Sequence, residues 1–396
     1  MNWTVRIFVA LTLLSVGFRT QPALASERVA KNVILFLGDA GGIPTIHGAS
    51  IYAYGEPQKL FIQSMPHMAL VETSSASEWV TDSAAGMTAI VTGQKTHNGV
   101  ISQSDSAVRR QKDGEPLKTI LEFAEERGLS TGVVSNSSIA DATPAACYAH
   151  VNDRRMKGQI FSQILKPQFG DGVDVVIGPD RKGIIEATGM MGLDIESSLK
   201  GRGYGFYNTL QEIPAGSSRA VVLLDSSDFD LGDAARRAVD ILSRNPKGYF
   251  LMVESDLHTE NLIRGLERTV AFDRLIRSVA AQVVQTETLI LFTADHSYDF
   301  RIHDGEKNKP LISDKEKSLP SNDVESIRFE NVRRDDDHTG EEVLLTGLGL
   351  GPGAGRIKAM ISNTDVFHIM MRAYGWEAQS AAQETRPTAQ SVGAQP

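Results

Sequence analysis

A serine directly follows an aspartate in the segment WVTDSAAGMTAIVTGQKTHNG, which runs from residue 79 to 99. The small residues after Ser83 predict a helix over 84–91 that Gly93 ends, so Ser83 is expected at a helix N-terminus. The unpaired backbone N–H groups and the dipole of such an end favour a bound anion. Taken alone, Ser83 is better explained as an ordinary N-cap. A catalytic interpretation therefore depends on the other polar residues of the chain.

Acidic residues and histidines recur where predicted strands end, and this pattern favours the catalytic interpretation. The ends of parallel strands meet at one edge of a sheet, where open α/β sheets bind their ligands. The residues concerned are Asp39, Glu254, Asp256, His258, Asp295, His296 and His338. Mixed nitrogen and oxygen ligands suit Zn²⁺, and an all-oxygen subset suits Mg²⁺. The sequence thus predicts metal ions that activate Ser83 as a nucleophile.

The composition is that of a globular protein with an acidic balance. The chain has 396 residues, of which 41% are hydrophobic and 22% charged, with a net charge of −9. This charge argues against a nucleic-acid-binding domain. An acidic protein that handles phosphate anions needs local positive charge, which bound metal ions can supply.

The two ends of the chain differ from the segment between them. Residues 1–25 have the pattern of a signal peptide, with Arg6, an apolar run over 7–18 and small residues at 23–25. The apolar run is too short for a permanent membrane anchor, so we expect an exported protein, periplasmic or secreted. Its single cysteine, Cys147, excludes an internal disulfide and is expected to be buried. The polar segment 377–396 is expected to be disordered.

Predicted strands and helices alternate through most of the chain, which predicts an α/β fold. Continuous apolar runs such as 31–38 and 248–254 suit buried strands of a parallel sheet. We therefore expect a central, mostly parallel sheet with helices on both faces, in one catalytic domain over 26–376. The highly charged stretch 301–337 is expected to be an insertion or lid.

Five segments of the chain together closely resemble the alkaline phosphatase family. They are KNVILFLGDAGG (31–42), VTDSAAGMTAIVTGQKT (80–96), DATPAACYAH (141–150), TADHS (293–297) and HTGEEV (338–343). Their order and spacing fit the family over about residues 30–375. The resemblance implies the three-layer fold and hydrolysis of small phosphate monoesters with two Zn²⁺ and one Mg²⁺. A homodimer is suggested by the resemblance alone.

The resemblance also implies roles at the matching positions. Ser83 matches the nucleophile that is transiently phosphorylated, and Arg154 matches the arginine that holds two phosphate oxygens, supported by Asp82. The zinc that binds the serine oxygen would be held by Asp39, Asp295 and His296. Asp39 would bridge to a magnesium site completed by Thr143 and Glu254, with Asp141 in the layer around it. His338 matches a ligand of the other zinc.

One stretch, Glu-Ser-Asp-Leu-His-Thr-Glu over 254–260, departs from the family pattern. The family has a longer segment there, with an aspartate and a histidine four residues apart as ligands of the second zinc. Asp256 and His258 are the nearest equivalents, but they are two residues apart and cannot share a helical face. On a loop both can converge on one metal, with Glu260 as the substitute ligand.

Alternatives to this interpretation remain at the level of sequence. Thr81 is a rival nucleophile, although it lies two residues before the helix start. The segment around Ser83 lacks the Cys/Ser-x-Pro-x-Arg pattern of a sulfatase. A phosphodiesterase with the same metal core is one further interpretation, and an exported phosphate- or metal-binding protein without turnover is another.

Overall fold

The computed structural model describes residues 29–319, 328–349 and 357–376. The predicted signal peptide (1–25) and polar tail (377–396) lie outside the described residues, as does part of the charged stretch 301–337. Within the described residues, no helix is both long and apolar enough to span a bilayer.

The described strands follow the apolar runs of the sequence. They are β1 (Asn32–Asp39), β2 (His67–Glu72), β3 (Ser130–Ser135), β4 (Val175–Pro179), β5 (Gly205–Tyr207), β6 (Ala220–Leu224), β7 (Tyr249–Asp256), β8 (Thr288–Thr293), β9 (Ser297–Ile302), β10 (Val332–Thr339), β11 (Val343–Gly349) and β12 (Met360–Ser362). β1 is buried along its whole length, as expected for a strand covered on both faces.

Helices connect most of these strands. They are α1 (Ile43–Tyr54), α2 (Ser83–Thr92), α3 (Ile120–Glu126), α4 (Ala142–Ala145), α5 (Lys157–Ser162), α6 (Arg181–Gly189), α7 (Ile195–Gly201), α8 (Leu231–Leu242), α9 (Leu262–Gln282), α10 (Asp314–Lys317) and α11 (Asn363–Ala373). The longest, α9, returns the chain from β7 to β8 and so belongs to a βαβ crossover.

The main sheet has ten strands in the order β12-β2-β11-β8-β1-β7-β3-β4-β6-β5. β11 runs antiparallel to its neighbours β2 and β8, and the other strand pairs of this sheet are parallel. A separate two-stranded antiparallel sheet is formed by β9 and β10. The predicted α/β class with a mostly parallel sheet is confirmed.

Alternating side chains of β1 enter two different cores, one on each face of the sheet. Leu35 packs in the core that includes Ile90 of α2 and Met370 of α11. Phe36, on the opposite face, packs in the core that includes Leu266 of α9. This alternation follows from the two-residue period of a strand and produces the expected three layers. Cys147 is buried and unpaired.

One local prediction needs correction. The amphipathic pattern over 115–127 predicts a helix from residue 115, but the helix begins at Ile120, because Thr119 and Glu122 form a capping box that fixes the N-terminus there. Most of β10 and the end of β9 fall inside the charged stretch 301–337. The sequence does not indicate that β9 pairs with β10, because β10 (VRRDDDHT) is rich in charged residues and lacks the apolar pattern of a strand.

A buried carboxyl group in α3 generates a prediction about stability. Glu125 Oε2 accepts hydrogen bonds from the backbone N–H groups of Asp171 and Gly172 at 3.1 and 2.9 Å, and Thr131 donates its hydroxyl to Oε1 at 3.1 Å. Burial nevertheless raises the pKa of Glu125 to about 8. Between pH 4.5 and 8 the carboxyl group is therefore ionised in the unfolded chain and protonated in the folded protein, so folding takes up a proton.

We expect the wild type to lose stability relative to Glu125→Gln as the pH rises from 5 to 8.5. The raised pKa stabilises the folded state below the unfolded pKa, and this contribution is lost as the pH approaches the folded value. The difference in unfolding free energy between the two proteins should shift toward the variant by up to about 4 kcal/mol, since one pKa unit is worth about 1.4 kcal/mol. Denaturant titrations at several pH values measure it. A pH-independent difference would contradict this assignment.

Candidate active site

The polar residues predicted at strand ends gather at the carboxyl edge of the main sheet. Asp39 at the end of β1 is paired in register with Asp256 at the end of β7. β8 is the other neighbour of β1, and Asp295 and His296 follow it directly. The ribbon of β9 and β10 then places His338 opposite Tyr298. Residues from four separate parts of the chain thus reach one location.

Ser83 is the first residue of α2 and is only 3% exposed. Asp82 caps this helix, since its Oδ1 accepts a hydrogen bond from the N–H of Ala85 at 3.0 Å. The N-cap of α2 is therefore Asp82 and not Ser83, for which an N-cap role was the alternative to catalysis. Ser83 Oγ lies 3.3 Å from His296 Nε2 and 3.5 Å from Asp39 Oδ1. The hydroxyl faces the cluster of histidines and carboxylates.

Two overlapping groups of side chains have ligand atoms close enough to share a metal ion. One group is Asp39, Asp295 and His296, and all three are buried. The other is His258, His296 and His338. In each group the ligand atoms lie within 4.8 Å of one another. His296 belongs to both groups, and its ring stacks on His338 with centroids 3.8 Å apart.

The three histidines share a hydrogen-bonding pattern that leaves Nε2 for a ligand. Nδ1 of His296 lies 3.0 Å from the carbonyl oxygen of Ser297, and Nδ1 of His338 lies 3.1 Å from that of Thr81. Nδ1 of His258 lies 2.9 Å from a carboxylate oxygen of Asp256. Because these oxygens can only accept, each Nδ1 must carry the hydrogen. In the neutral ring Nε2 is then the unprotonated, metal-binding nitrogen.

A second buried acidic residue, Glu254, lies near Asp39. Glu254 is 1% exposed and accepts a short hydrogen bond from the hydroxyl of Ser135. Burial and the carboxylate of Asp39 raise the pKa of Glu254 well above its usual range. Thr143 lies in α4, which packs against β3 and β7. Glu254 and Asp39 thus form a pair of carboxylates whose repulsion a cation would relieve.

Unsatisfied polar atoms test whether these residues suit metal ions. Thr143 Oγ1 and Asp295 Oδ2 are both buried and have no hydrogen-bond partner among the described residues. Buried oxygen atoms without partners are costly, and an ion that they coordinate removes the cost. Both atoms belong to residues predicted as metal ligands, so the donor set fits divalent cations.

Charge interactions within the site are strong. Burial raises the pKa of Asp39, but His258 and His296 outweigh it and hold that pKa well below its usual range. Burial opposes protonation of His258, yet Asp39 and Asp256 raise its pKa to about 10. Burial raises the pKa of Asp295 to about 6, with a contribution from Asp39. Burial and His296 lower the pKa of His338.

Arg154 lies at the rim of the site between two carboxylates. Its Nη1 contacts Asp82 Oδ2 at 3.2 Å and its Nη2 contacts Asp141 Oδ1 at 3.1 Å. Burial opposes the charge of the guanidinium, but Asp141 and Asp82 raise the pKa of Arg154 above its usual value. Asp82 therefore contacts both Arg154 and the start of the Ser83 helix, which couples the positions of the two residues.

Asp256 is brought near the site but belongs to neither group of metal-ligand atoms. Its Oδ2 pairs with Nη1 of Arg268 in α9, and its Oδ1 faces His258. The substitute ligand, Glu260, lies outside both groups as well. Thr81 is buried and its hydroxyl donates to the carbonyl oxygen of Asp82 at 3.0 Å.

Sequence reasoning missed several residues that support the site. Asp256 is held by Arg268 and by Asn136, whose Oδ1 accepts the N–H of Asp256 at 2.9 Å. Glu254 is held by the hydroxyl of Ser135. Ser135 ends β3 and Asn136 follows it, so a search for polar residues at strand ends could have found both. Arg268 lies in the middle of an amphipathic helix, where an exposed arginine is the ordinary expectation.

Comparisons with known proteins identify the family of the chain. A family model described as alkaline phosphatase matches residues 30–186 and 223–319. The chain is 27% identical over 426 residues to alkaline phosphatase of Escherichia coli, covering 88% of this chain and 87% of that protein. It is 27% identical over 419 residues to alkaline phosphatase 4 of Bacillus subtilis, covering 86% and 88% respectively.

Solved structures show the same fold. Alkaline phosphatase from the Antarctic bacterium TAB5 has a TM-score of 0.72 at 24% identity, covering 89% of this chain and 100% of that one. Alkaline phosphatase of Thermus thermophilus has a TM-score of 0.72 at 21% identity, covering 93% and 97%. The fold and the matches define a hydrolase of the alkaline phosphatase superfamily. Because the family model matches more than half of the chain, the protein belongs to the alkaline phosphatase family.

Gly42, which lies three residues after Asp39, generates a prediction about packing. A Cβ atom on Gly42 would lie 1.9 Å from Ser297 Oγ and 3.0 Å from the backbone of Ser297. The φ of Gly42 is −61°, so only space, and not backbone conformation, excludes a side chain. Ser297 follows His296, and its displacement would disturb the site.

We expect Gly42→Ala to lower the free energy of unfolding by about 1–3 kcal/mol, as overpacking of a core does. Gly189→Ala is the matched control, because a Cβ atom on Gly189 would have no atom of the described residues within 4 Å. Denaturant unfolding of both variants measures the difference. Equal stability of the two variants would show that the contact with Ser297 relaxes without cost.

Proposed function

We propose that this protein hydrolyses phosphate monoesters through a phosphoserine intermediate at Ser83, with two Zn²⁺ ions and one Mg²⁺ ion. The observation that carries this proposal is the position of Ser83 Oγ. It lies at a helix N-terminus, within 3.5 Å of an atom of His296 and of Asp39. A hydroxyl among candidate metal ligands is what nucleophilic attack on phosphorus requires.

The ligands fall into three sets. Asp39, Asp295 and His296 would hold the zinc beside Ser83. His258 and His338 would hold the other zinc. Asp39 would also contribute to the magnesium site, together with Glu254 and Thr143, whose hydroxyl is buried without a partner among the described residues. When bound, such ions lower the pKa of a neighbouring hydroxyl and neutralise charge on a phosphoryl group.

The residues of the chain perform the remaining tasks. Ser83 Oγ gives its proton to solvent and attacks phosphorus. The ester P–O bond breaks as the serine P–O bond forms, and the alcohol leaves as an alkoxide that takes a proton from water. Water then cleaves the phosphoserine and releases inorganic phosphate. The guanidinium of Arg154 and the N–H groups at the start of α2 stabilise the equatorial phosphoryl oxygens. Asp82 and Asp141 keep Arg154 at the rim, each through one hydrogen bond.

Two features support monoesters as substrates. A monoester carries a dianionic phosphoryl group, which gains more from a cationic arginine than the monoanionic group of a diester does. The relatives reported above are named alkaline phosphatases. A phosphodiesterase with the same metal core is the second candidate. A binding protein without turnover is the third candidate, and the departure at 254–260 is the observation that favours it.

We also propose that the protein is exported, either to a periplasm or outside the cell, and that it forms a homodimer. The pattern of residues 1–25 supports export. Membership of the alkaline phosphatase family supports dimerisation. Residues 26–376 would form one catalytic domain, with about 301–337 as a charged insertion or lid.

Removal of the hydroxyl at position 83 tests the proposal. We expect Ser83→Ala to lower the turnover of p-nitrophenyl phosphate at least 1,000-fold, on the order of what loss of a nucleophile costs. The variant should form no acid-stable phosphoenzyme from labelled phosphate. Its zinc and magnesium content should match that of the wild type. Thr81→Val is the control and should retain turnover, because the Thr81 hydroxyl faces the backbone of Asp82.

Substrate preference provides a separate test. We expect Arg154→Gln to lower kcat/KM for p-nitrophenyl phosphate by about 10–100-fold, as loss of a charge-assisted contact does. The effect on bis-p-nitrophenyl phosphate should be smaller, because that substrate has one anionic charge fewer. An equal effect on both substrates, or a faster wild-type reaction with the diester, would favour the phosphodiesterase. No phosphate release from either substrate would favour the binding protein.

A further inference from the structure

The segment Asp256-Leu257-His258 is anchored to the sheet by its middle residue. The N–H of Leu257 donates to the carbonyl oxygen of Asp39 at 2.9 Å, and its side chain is completely buried. That side chain occupies the space above Gly38 and Gly41, where a Cβ atom would lie 2.6 and 3.1 Å from it. The residues on either side of Leu257 are consequently held in fixed positions.

Both carboxylate oxygens of Asp256 are engaged. Oδ1 accepts from the backbone N–H of His258 at 3.1 Å and from Nδ1 of the same residue at 2.9 Å. Oδ2 forms a close ion pair with Nη1 of Arg268. The Arg268 side chain is 18% exposed, and that of Asp256 is 26% exposed. The pair is therefore partly shielded from solvent and is stronger than a surface ion pair.

His258 points away from this pair toward the other histidines. Its Nε2 lies 3.8 Å from Asp39 Oδ1 and belongs to the group with His296 and His338. Nδ1 of the other two rings is held by backbone carbonyl oxygens, whereas Nδ1 of His258 is held by a carboxylate. A carboxylate in this place fixes the ring and increases the basicity of the nitrogen that binds the metal.

We infer that Asp256, itself fixed by Arg268, is the orienting carboxylate of His258 and does not ligate the metal. The short spacing is the physical reason. With one residue between them, the Asp256 side chain closes onto the backbone and ring of His258. To reach a metal it would have to give up these contacts and the Arg268 pair. This inference rests on the zinc site of the proposed function, and Arg268 is a positioning residue within it.

Zinc affinity distinguishes an orienting from a ligating Asp256 without any measurement of turnover. Competition with a chromophoric chelator gives the affinity and the number of zinc ions bound. We expect Asp256→Asn to retain two zinc ions with an affinity loss of about 10-fold or less, because the amide oxygen can still accept from Nδ1. Asp256→Ala should weaken one site by about 10–100-fold. Loss of one zinc ion from Asp256→Asn would overturn the inference.

Arg268→Gln, with Arg264→Gln as its matched control, tests the role of Arg268. Arg264 lies one turn earlier in α9, whereas the ion pair with Asp256 is made by Arg268, so the control removes a nearby positive charge alone. We expect Arg268→Gln to bind zinc at one site several-fold more weakly than Arg264→Gln, by at most about the loss seen in Asp256→Asn. The difference should disappear in the Asp256→Asn background, and Arg268→Lys should restore part of it. Equal or tighter binding by Arg268→Gln would mean that Arg268 restrains a ligating carboxylate.

The outcomes also separate this inference from the proposed function. A wild type that binds no zinc would refute the proposed metal site itself. A wild type that binds two zinc ions, with Asp256→Asn losing one, would leave the phosphatase proposal intact and refute the inference alone. If Arg268→Gln fails to fold by circular dichroism, Asp256→Asn and Arg268→Lys carry the test.

Discussion

Buried negative charge at the carboxyl edge of the sheet is the constraint on which the site depends. Asp39, Glu254 and Asp295 are almost inaccessible to water and lie on three neighbouring segments of the sheet. Carboxylates in such positions must be protonated or compensated by cations. Burial and the carboxylate of Asp39 raise the pKa of Glu254, and Asp295 Oδ2 has no hydrogen-bond partner among the described residues. The fold thus creates a buried cluster of carboxylates, and the charge of divalent cations would balance it.

The topology explains why these residues meet. β1, β7 and β8 are adjacent and parallel, so their ends lie at one edge and deliver acids and a histidine there. α2 presents its N-terminus to the same edge from one face of the sheet. α9 supplies Arg268 from the opposite face, where it supports the end of β7. The site therefore combines contributions from both helical layers.

Much of this arrangement could be predicted from the sequence. The apolar runs ending in Asp39 and Glu254 predicted central strands, and Gly93 correctly marked the end of α2, where it adopts a positive φ of 74°. The pairing of β9 with β10 could not be predicted, because charged residues in β10 mask the strand pattern. The hydrogen bonds of Asp256 depend on where α9 packs, which no local pattern encodes. Periodicity predicts which elements form, whereas the partner of a polar side chain depends on tertiary packing.

The ribbon of β9 and β10 has a consequence for how this family can vary in size. Its base pairs Ser297 with Thr339, so the neighbouring residues His296 and His338 are tied together whatever the chain does beyond the far end of the ribbon. Closing a longer loop there costs little additional entropy. A longer connection between β9 and β10 can accordingly be accommodated without moving either histidine, whereas its deletion would remove Leu311, Ile312 and Phe329 from the core. Related enzymes could thus acquire new surface modules at this point while the arrangement of the two rings stays unchanged.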